Sequence, residues 1–187
     1  MERFYCFLPA LMVLVPTVRG YCTTTIPVNL LEGCAFRPLM AMSEQSGWVL
    51  SKENCGESIA VEVFEVPPVL FFDFTDPEKL YTLIMVDMDG ASTEDRLYLH
   101  WIVANVPAST FTQGMTYMDG DTVMDFLAPT SGHYEHRYEF YLYEQVYGTS
   151  YPPMPNSREE FDLAGWINSI YPEGALCGPV ASIGFNS

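Results

Sequence analysis

The sequence predicts a mainly β domain with one late helix. Long apolar runs recur along the chain at strand length, notably Leu80–Val86, Leu97–Val106 and Glu135–Tyr143. Twelve Tyr and twelve Phe supply the bulky side chains that suit pleated, half-buried surfaces. A single segment, after Ser157, combines helical apolar spacing with capping signals.

Taken in order, Met1-Glu2-Arg3 precedes the apolar stretch Phe4–Pro16, which ends in small residues near Val18-Arg19-Gly20. This reads as a secretory signal over residues 1–20, too short to span a bilayer. Residues 21–187 then form one domain, of a size that buries roughly two-thirds of its unfolded surface. No second apolar run of about 20 residues follows, so no integral membrane span is expected. Residues 21–60 carry few periodic cues. Ile59–Val66 alternates and reads as a strand closed by Pro67-Pro68. Val69–Phe74 reads as another, and Thr75-Asp76-Pro77-Glu78 as a turn.

Leu80–Val86 barely alternates, as a central strand covered on both faces should. The Leu97–Val106 strand follows, then a loop with weak strand content over Pro107–Asp121. Met124–Pro129 leads into the strand that ends at Tyr143. Gly148–Asn156 is an irregular loop. Ser157 as N-cap and Glu160 three residues later form a capping box. Phe161, Ala164, Trp166, Ile167 and Ile170 make the apolar side of the helix, which Pro172 and Gly174 close. The last segment, Leu176–Phe185, is apolar with Gly and Pro interruptions.

Each of the three long runs carries polar site residues. Leu80–Val86 runs into Asp87-Met88-Asp89, the second run holds His100, and the third holds His136 and Tyr138. An ionisable group inside an apolar strand costs several kcal/mol unless it finds a partner. Alternation puts His136 and Tyr138 on one face and Arg137, Glu139, Tyr141 and Tyr143 on the other. It likewise groups Tyr98, His100, Ile102 and Ala104. Brought together, these groups would floor a small anion-binding pocket. A histidine there can offer one ring nitrogen to an anion while Asp87 takes the proton of the other. Arg137 points away and suits an ion pair with Asp89. His133 and His136 would face opposite ways on a strand, so no metal pair is expected.

The formal net charge is −16. Removing residues 1–20 takes Lys+Arg from 8 to 6 and Asp+Glu from 24 to 23, leaving about −17. Nucleic acid and anionic membrane surfaces repel such a body, since both rely on Lys and Arg to neutralise phosphate. Cys22, Cys34, Cys55 and Cys177 remain after the cut. An even set in a secreted chain implies two disulfides, of three possible pairings. Three of the four lie in the N-terminal third, so one bridge is expected to be local and one to run to Cys177. No C-x-x-C occurs, and no N-x-S/T sequon.

Asp87-x-Asp89-x-x-Ser92, then His100 and Asn105, then Pro129-x-x-Gly132-x-x-x-His136-Arg137-Tyr138 and Tyr143-Glu144-Gln145, resembles the phosphatidylethanolamine-binding protein family. The resemblance spans about Phe71 to Gln145 and resumes near Pro179-Val180-Ala181. It implies a β-sandwich of two packed sheets, no cofactor, and a pocket of Asp87, His100, His136 and Tyr138 that holds a phosphate-like anion. It also implies a closing loop with Pro129 and Gly132, and an aromatic wall at Tyr98, where the family usually has Trp. Met88 and Ala91 replace two prolines of the family's loop, and Leu99 stands where a second His is usual. The rim is therefore altered, and a trans peptide is expected at Ala91.

The expected function is a secreted, non-enzymatic protein that binds a small anionic or phosphorylated ligand. No G-x-S-x-G occurs, and nothing positions a nucleophile. Two other readings stay open. One is an acidic extracellular structural or matrix protein with an idle pocket. The other is a protease inhibitor acting through surface loops.

Overall fold

The computed structural model describes residues 34–93, 96–130 and 134–187. The expected signal segment, Cys22, Gly132 and His133 lie outside them.

The main sheet has six strands: β1 (Arg37–Pro38), β5 (Leu80–Asp87), β6 (Tyr98–Pro107), β7 (Asp121–Met124), β8 (Arg137–Gln145) and β9 (Leu176–Asn186). Their order is β1-β9-β8-β5-β6-β7. A second sheet joins β2 (Met40–Met42), β3 (Val49–Leu50) and β4 (Val69–Phe71) in the order β3-β2-β4. β5 lies between β8 and β6, antiparallel to both. Its unbroken burial from Tyr81 to Asp87 is the central strand expected from its lack of alternation.

Each face of the main sheet carries its own core. One face meets the small sheet: Leu83, Met85, Trp101, Phe140, Leu142 and Phe185 pack with Leu39, Ala41, Leu50 and Leu70. On the other face Ile84, Val86, Leu99, Ile102, Tyr141 and Tyr143 pack under Phe161, Leu163, Trp166 and Ile167. The fold is thus mainly β, with two packed sheets and a late helix.

Several local expectations are corrected. Ile59–Val66 is not a strand, since Val61–Phe64 forms a 3-10 turn. Its one buried side chain, Phe64, reaches the inter-sheet core, so burial and not alternation set its conformation. Pro107–Asp121 contains a short helix, α1 (Ala108–Gln113), anchored by buried Ala108 and Phe111. The late helix, α2, spans Leu163–Ser169 and starts later than the capping box implied. Its N-cap is Asp162, whose carboxylate accepts from Gly165 N at 2.8 Å and pairs with Arg96 at 2.7 Å. Glu160 takes a left-handed φ of 52° and turns its carboxylate to Ser92 instead of capping. Leu163 is buried in place of Ala164, which is exposed. In the turn before β5, Lys79 N reaches Asp76 O, so it spans Asp76–Lys79 with Pro77 second.

Cys34 and Cys55 form a disulfide across 21 residues, the expected local bridge. Cys177 is also disulfide-bonded. Among the described residues no helix is long and apolar enough to cross a membrane.

Candidate functional site

Strand register assembles the site. Asp87, the last residue of β5, pairs with Tyr98 on β6 and Tyr138 on β8. It is 4% exposed. His136 precedes β8, and its backbone is tied in both directions to Ser187, at 2.8 and 2.9 Å. That holds its ring beside Asp87, and Nδ1–H donates to Asp87 Oδ2 at 2.7 Å. The other carboxylate oxygen accepts from Asp89 N at 2.8 Å. Asp87 therefore fixes both a ring tautomer and the loop that follows it.

His100 arrives by a different device. Met85 pairs with Trp101 but Val86 pairs with Leu99, so His100 is the extra residue of a β-bulge. A bulge resets the alternation of the strand beyond it. Tyr98 and His100 therefore face the site, with ring centroids 5.3 Å apart. Ile102 and Ala104 face the opposite core. The expectation that these four residues share one face is corrected by that one extra residue. His100 lies 5.2 Å from the Tyr138 ring, edge-on, and His136 stacks 6.4 Å from it.

His100 is bracketed by backbone. Its Nδ1–H donates to Leu127 O at 2.7 Å, and Leu127 N donates back to His100 O at 2.9 Å. Arg158 completes the bracket: its guanidinium donates to Leu99 O, His100 O and Asp125 O at 3.1, 2.9 and 2.7 Å. Burial lowers the His100 pKa, against the raising effects of the Leu127 carbonyl and Asp87. The ring is thus held neutral. Burial likewise raises the Tyr138 hydroxyl, with Asp87 adding to the shift.

The rim is built from the loop after β5. Arg137 Nε donates to Asp89 Oδ2 at 2.7 Å and its Nη2 to Oδ1, the expected ion pair. That pair lowers the Asp89 pKa and raises that of Arg137. Gly90 packs directly on Asp87: a Cβ there would lie 2.6 Å from Asp87 Oδ2 and 2.7 Å from Tyr98 Cβ. Ser92 is tethered to Glu160 Oε1 through its backbone N at 2.8 Å and its hydroxyl at 2.6 Å. Cis peptides among the described residues precede only Pro172 and Pro179, so Ala91 follows a trans bond.

Of the residues expected at the site, Asp87, Tyr98, His100, His136 and Tyr138 come together. Pro129 is buried near them in sequence, beside Thr130, whose carbonyl lies 3.5 Å from the Tyr138 hydroxyl. Sequence reasoning missed Gly90, Leu127, Arg158 and Ser187. Gly90 was findable, since a glycine beside a D-x-D pair signals close backbone approach. Leu127 and Ser187 act through backbone atoms that any residue has. Arg158 follows Ser157 at the expected helix start, where nothing in the sequence signals a backbone clamp.

Chemically, the site offers two imidazoles locked at Nδ1, with Nε2 unpartnered among the described residues, and one phenol. Among those residues no Ser or Cys side chain hydrogen-bonds either ring. Among the described residues no group of three His, Cys, Asp or Glu is placed to hold a metal ion.

Comparison with known proteins bears on the family and the fold. Residues 44–170 match the family model described as phosphatidylethanolamine-binding protein. The chain is similar to protein MOTHER of FT and TFL1 homolog 2 of Oryza sativa subsp. japonica, 36% identical over 115 residues, covering 58% of this chain and 60% of that one. It is similar to protein FLOWERING LOCUS T of Arabidopsis thaliana, 34% identical over 114 residues, or 59% of each chain. The match thus spans about three-fifths of the length of these relatives. In fold it is similar to the carboxypeptidase Y inhibitor solved with its cognate proteinase, with a TM-score of 0.58, 18% identity, and 79% and 81% of the chains covered. A second fold match is the phosphatidylethanolamine-binding protein from Plasmodium vivax, with a TM-score of 0.56, 20% identity, and 79% and 84% covered.

Proposed function

We propose that this chain, which belongs to the phosphatidylethanolamine-binding protein family, is a secreted, non-enzymatic binder of a small anionic or phosphate-bearing ligand. Asp87, His100, His136 and Tyr138 receive the ligand, Tyr98 walls the site, and Pro129 belongs to the loop beside it; Gly132, expected in the same loop, lies outside the described residues. The observation that carries this reading is the Asp87–His136 bond, which aims a carboxylate-backed imidazole from a buried strand end. A carboxylate behind a histidine fixes its tautomer and stabilises the charged ring that an anion induces. Ligand binding without turnover fits a site in which, among the described residues, no Ser or Cys side chain hydrogen-bonds either ring.

Secretion is proposed from the Phe4–Pro16 segment and supported by the Cys34–Cys55 bridge, since disulfides persist in oxidising compartments. The domain is taken as residues 21–187. The high acidity makes the ligand small and enclosed, because a broad anionic surface would be repelled.

The test is native mass spectrometry with an inorganic phosphate titration, wild type beside His136→Ala. Saturable one-to-one binding lost in the variant supports the reading. Absence of binding in the folded wild type overturns it, and would turn attention to the matrix-type role, to be tested by calcium and matrix association.

A further inference from the structure

Residues 148–156, between β8 and α2, are pinned from three directions. Gln145 Nε2 donates to Gly148 O at 2.7 Å. The Asn105 side chain takes the Ser150 backbone from both sides, accepting from Ser150 N at 2.9 Å and donating to Ser150 O at 2.8 Å. Trp166 Nε1 donates to Pro153 O at 2.8 Å. Pro152, Pro153 and Pro155 fix their own φ. On this held segment Tyr151 is 85% exposed and Met154 70%. A lone apolar side chain on a surface needs no explanation. These two stand among three prolines on a ridge that is already ordered, so a partner would pay little entropy to fix it.

A cavity opens on each side of the ridge, and Met154 walls both. The larger, about 440 Å³, lies against α2 and is lined by Pro153, Phe161 and Trp166 with the exposed carboxylates of Glu159, Glu160 and Asp162. The smaller, about 260 Å³, lies against β7 and is lined by Val123, Tyr151 and Pro152 with the Asp121 carboxylate. Neither is lined by Lys or Arg. Two guanidiniums close to the larger cavity in sequence or by contact are committed. Arg96 pairs with Asp162 at 2.7 Å, and Arg158 donates to the carbonyls of Leu99, His100 and Asp125. Asp121 bonds the neutral Asn105 amide, and neither it nor Glu159 pairs with Lys or Arg among the described residues.

An occupant that covers Met154 and enters both cavities must be extended, and the carboxylates call for positive charge. A second copy of this chain would bring a net charge of −16 against its like, and an anionic membrane surface would be repelled in the same way. Tyr, Trp and Met are side chains enriched where proteins meet. We infer that the ridge and its two cavities form a docking surface for an extended basic segment of a second protein, its apolar side chains seated on either side of Met154 and its Lys or Arg side chains set at Asp121 and Glu159. None of the lining residues belongs to the Asp87 site, so this surface can act whether or not that site holds an anion.

The experiment is fluorescence anisotropy of the full chain with short fluorescein-labelled peptides: one of Lys and Leu, one of Ser and Leu, and one of Glu and Leu. Wild type is compared with the double variant Tyr151→Ser, Met154→Ser, and with Glu159→Gln and Glu62→Gln. The two glutamine variants remove the same charge, one at the docking surface and one at an exposed position in the 3-10 turn. Saturable one-to-one binding of the Lys/Leu peptide supports the inference when the uncharged double change weakens it roughly tenfold or more and Glu159→Gln weakens it more than Glu62→Gln. The same peptide should shift the Met154 methyl and the nitrogen-15 resonance of the Trp166 indole. All the altered side chains are exposed, and thermal unfolding checks that each variant is folded. Equal binding by the double variant, or equal losses in the two glutamine variants, would mean diffuse attraction to an acidic body and overturns the inference. So does binding of the Ser/Leu or Glu/Leu peptide as tightly as the Lys/Leu one, or no saturable binding at all. A Met154 methyl shift that depends on protein concentration without peptide would assign the surface to a second copy and overturns it too.

Discussion

Asp87 Oδ2 accepts a 2.7 Å hydrogen bond from Nδ1 of His136, a residue 49 positions away, because β5 and β8 lie side by side and Asp87 is the last residue of its strand. One carboxylate oxygen holds the ring and the other holds the backbone of Asp89. The same side chain therefore couples the tautomer of the His136 ring to the shape of the rim.

Asp87→Asn keeps the volume but leaves one carbonyl oxygen for two donors. One of the two hydrogen bonds must be lost and an N–H set against a donor. A hydrogen bond to a charged group is worth about 1.5–3 kcal/mol. Phosphate affinity is expected to fall about tenfold to a hundredfold, read by calorimetry. Unchanged affinity with a folded protein would remove Asp87 from the site.

His100 should titrate below the ordinary histidine range, because burial lowers its pKa. The folded state then binds fewer protons than the unfolded chain below about pH 6.5. Stability is full above that pH and is lost as pH falls toward the folded value. Denaturant unfolding of wild type and His100→Gln across pH 5–8 checks this. The wild-type curve should fall more steeply on the acid side.

How much of this was legible in the sequence depends on which atoms do the work. Asp87, His100, His136 and Tyr138 stand out because polar groups interrupt apolar strands, and the Arg137–Asp89 pair follows from charge and alternation. Alternation fails where the chain inserts a residue: the bulge at His100 moves Ile102 and Ala104 to the opposite face from His100, and a period-two reading cannot see it. The 3-10 turn at Val61–Phe64 fails for a related reason, since Phe64 is drawn into the inter-sheet core whatever its neighbours prefer. The capping box at Ser157 and Glu160 was a local signal overridden by a distant one, the tether to Ser92.

Gly90→Ala separates stability from binding. The added methyl would lie 2.6 Å from Asp87 Oδ2, so the carboxylate or the loop must move. Gly90 sits at the partly exposed rim, and the strain is expected to cost about 1–3 kcal/mol of stability. Phosphate affinity should fall about tenfold, by analogy with loss of one charged hydrogen bond. Affinity unchanged alongside a lowered Tm would mean that the rim moves without disturbing Asp87.

Arg158→Lys tests the backbone bracket of His100. A single ammonium cannot reach the three carbonyls that the planar guanidinium spans. Loss of about 1–3 kcal/mol is expected, or roughly 2–4 °C in Tm per kcal/mol for a domain of this size. The nitrogen-15 pattern of His100 should change in the same variant, which a surface arginine would not cause.

Glu139 offers the strongest pH dependence. It lies on β8, is fully buried, and neither carboxylate oxygen has a hydrogen-bond partner. Its carboxyl packs against Gly184, where a Cβ would come within 2.6 Å of it, so β9 needs glycine to make room. Burial raises its pKa to about 8, against a lowering contribution from Arg137. Between the ordinary carboxylate range and pH 8 the folded state keeps a proton that the unfolded chain has released. Stability therefore declines as pH rises through that window, by up to about 1.4 kcal/mol per pH unit, and levels off above it. Glu139→Gln removes the ionisation while nearly preserving shape. It is expected to match wild type near pH 5, to exceed it at pH 8, and to flatten the profile between. Thermal unfolding at those two pH values decides the matter: parallel wild-type and variant profiles would show that Glu139 finds a partner on ionising.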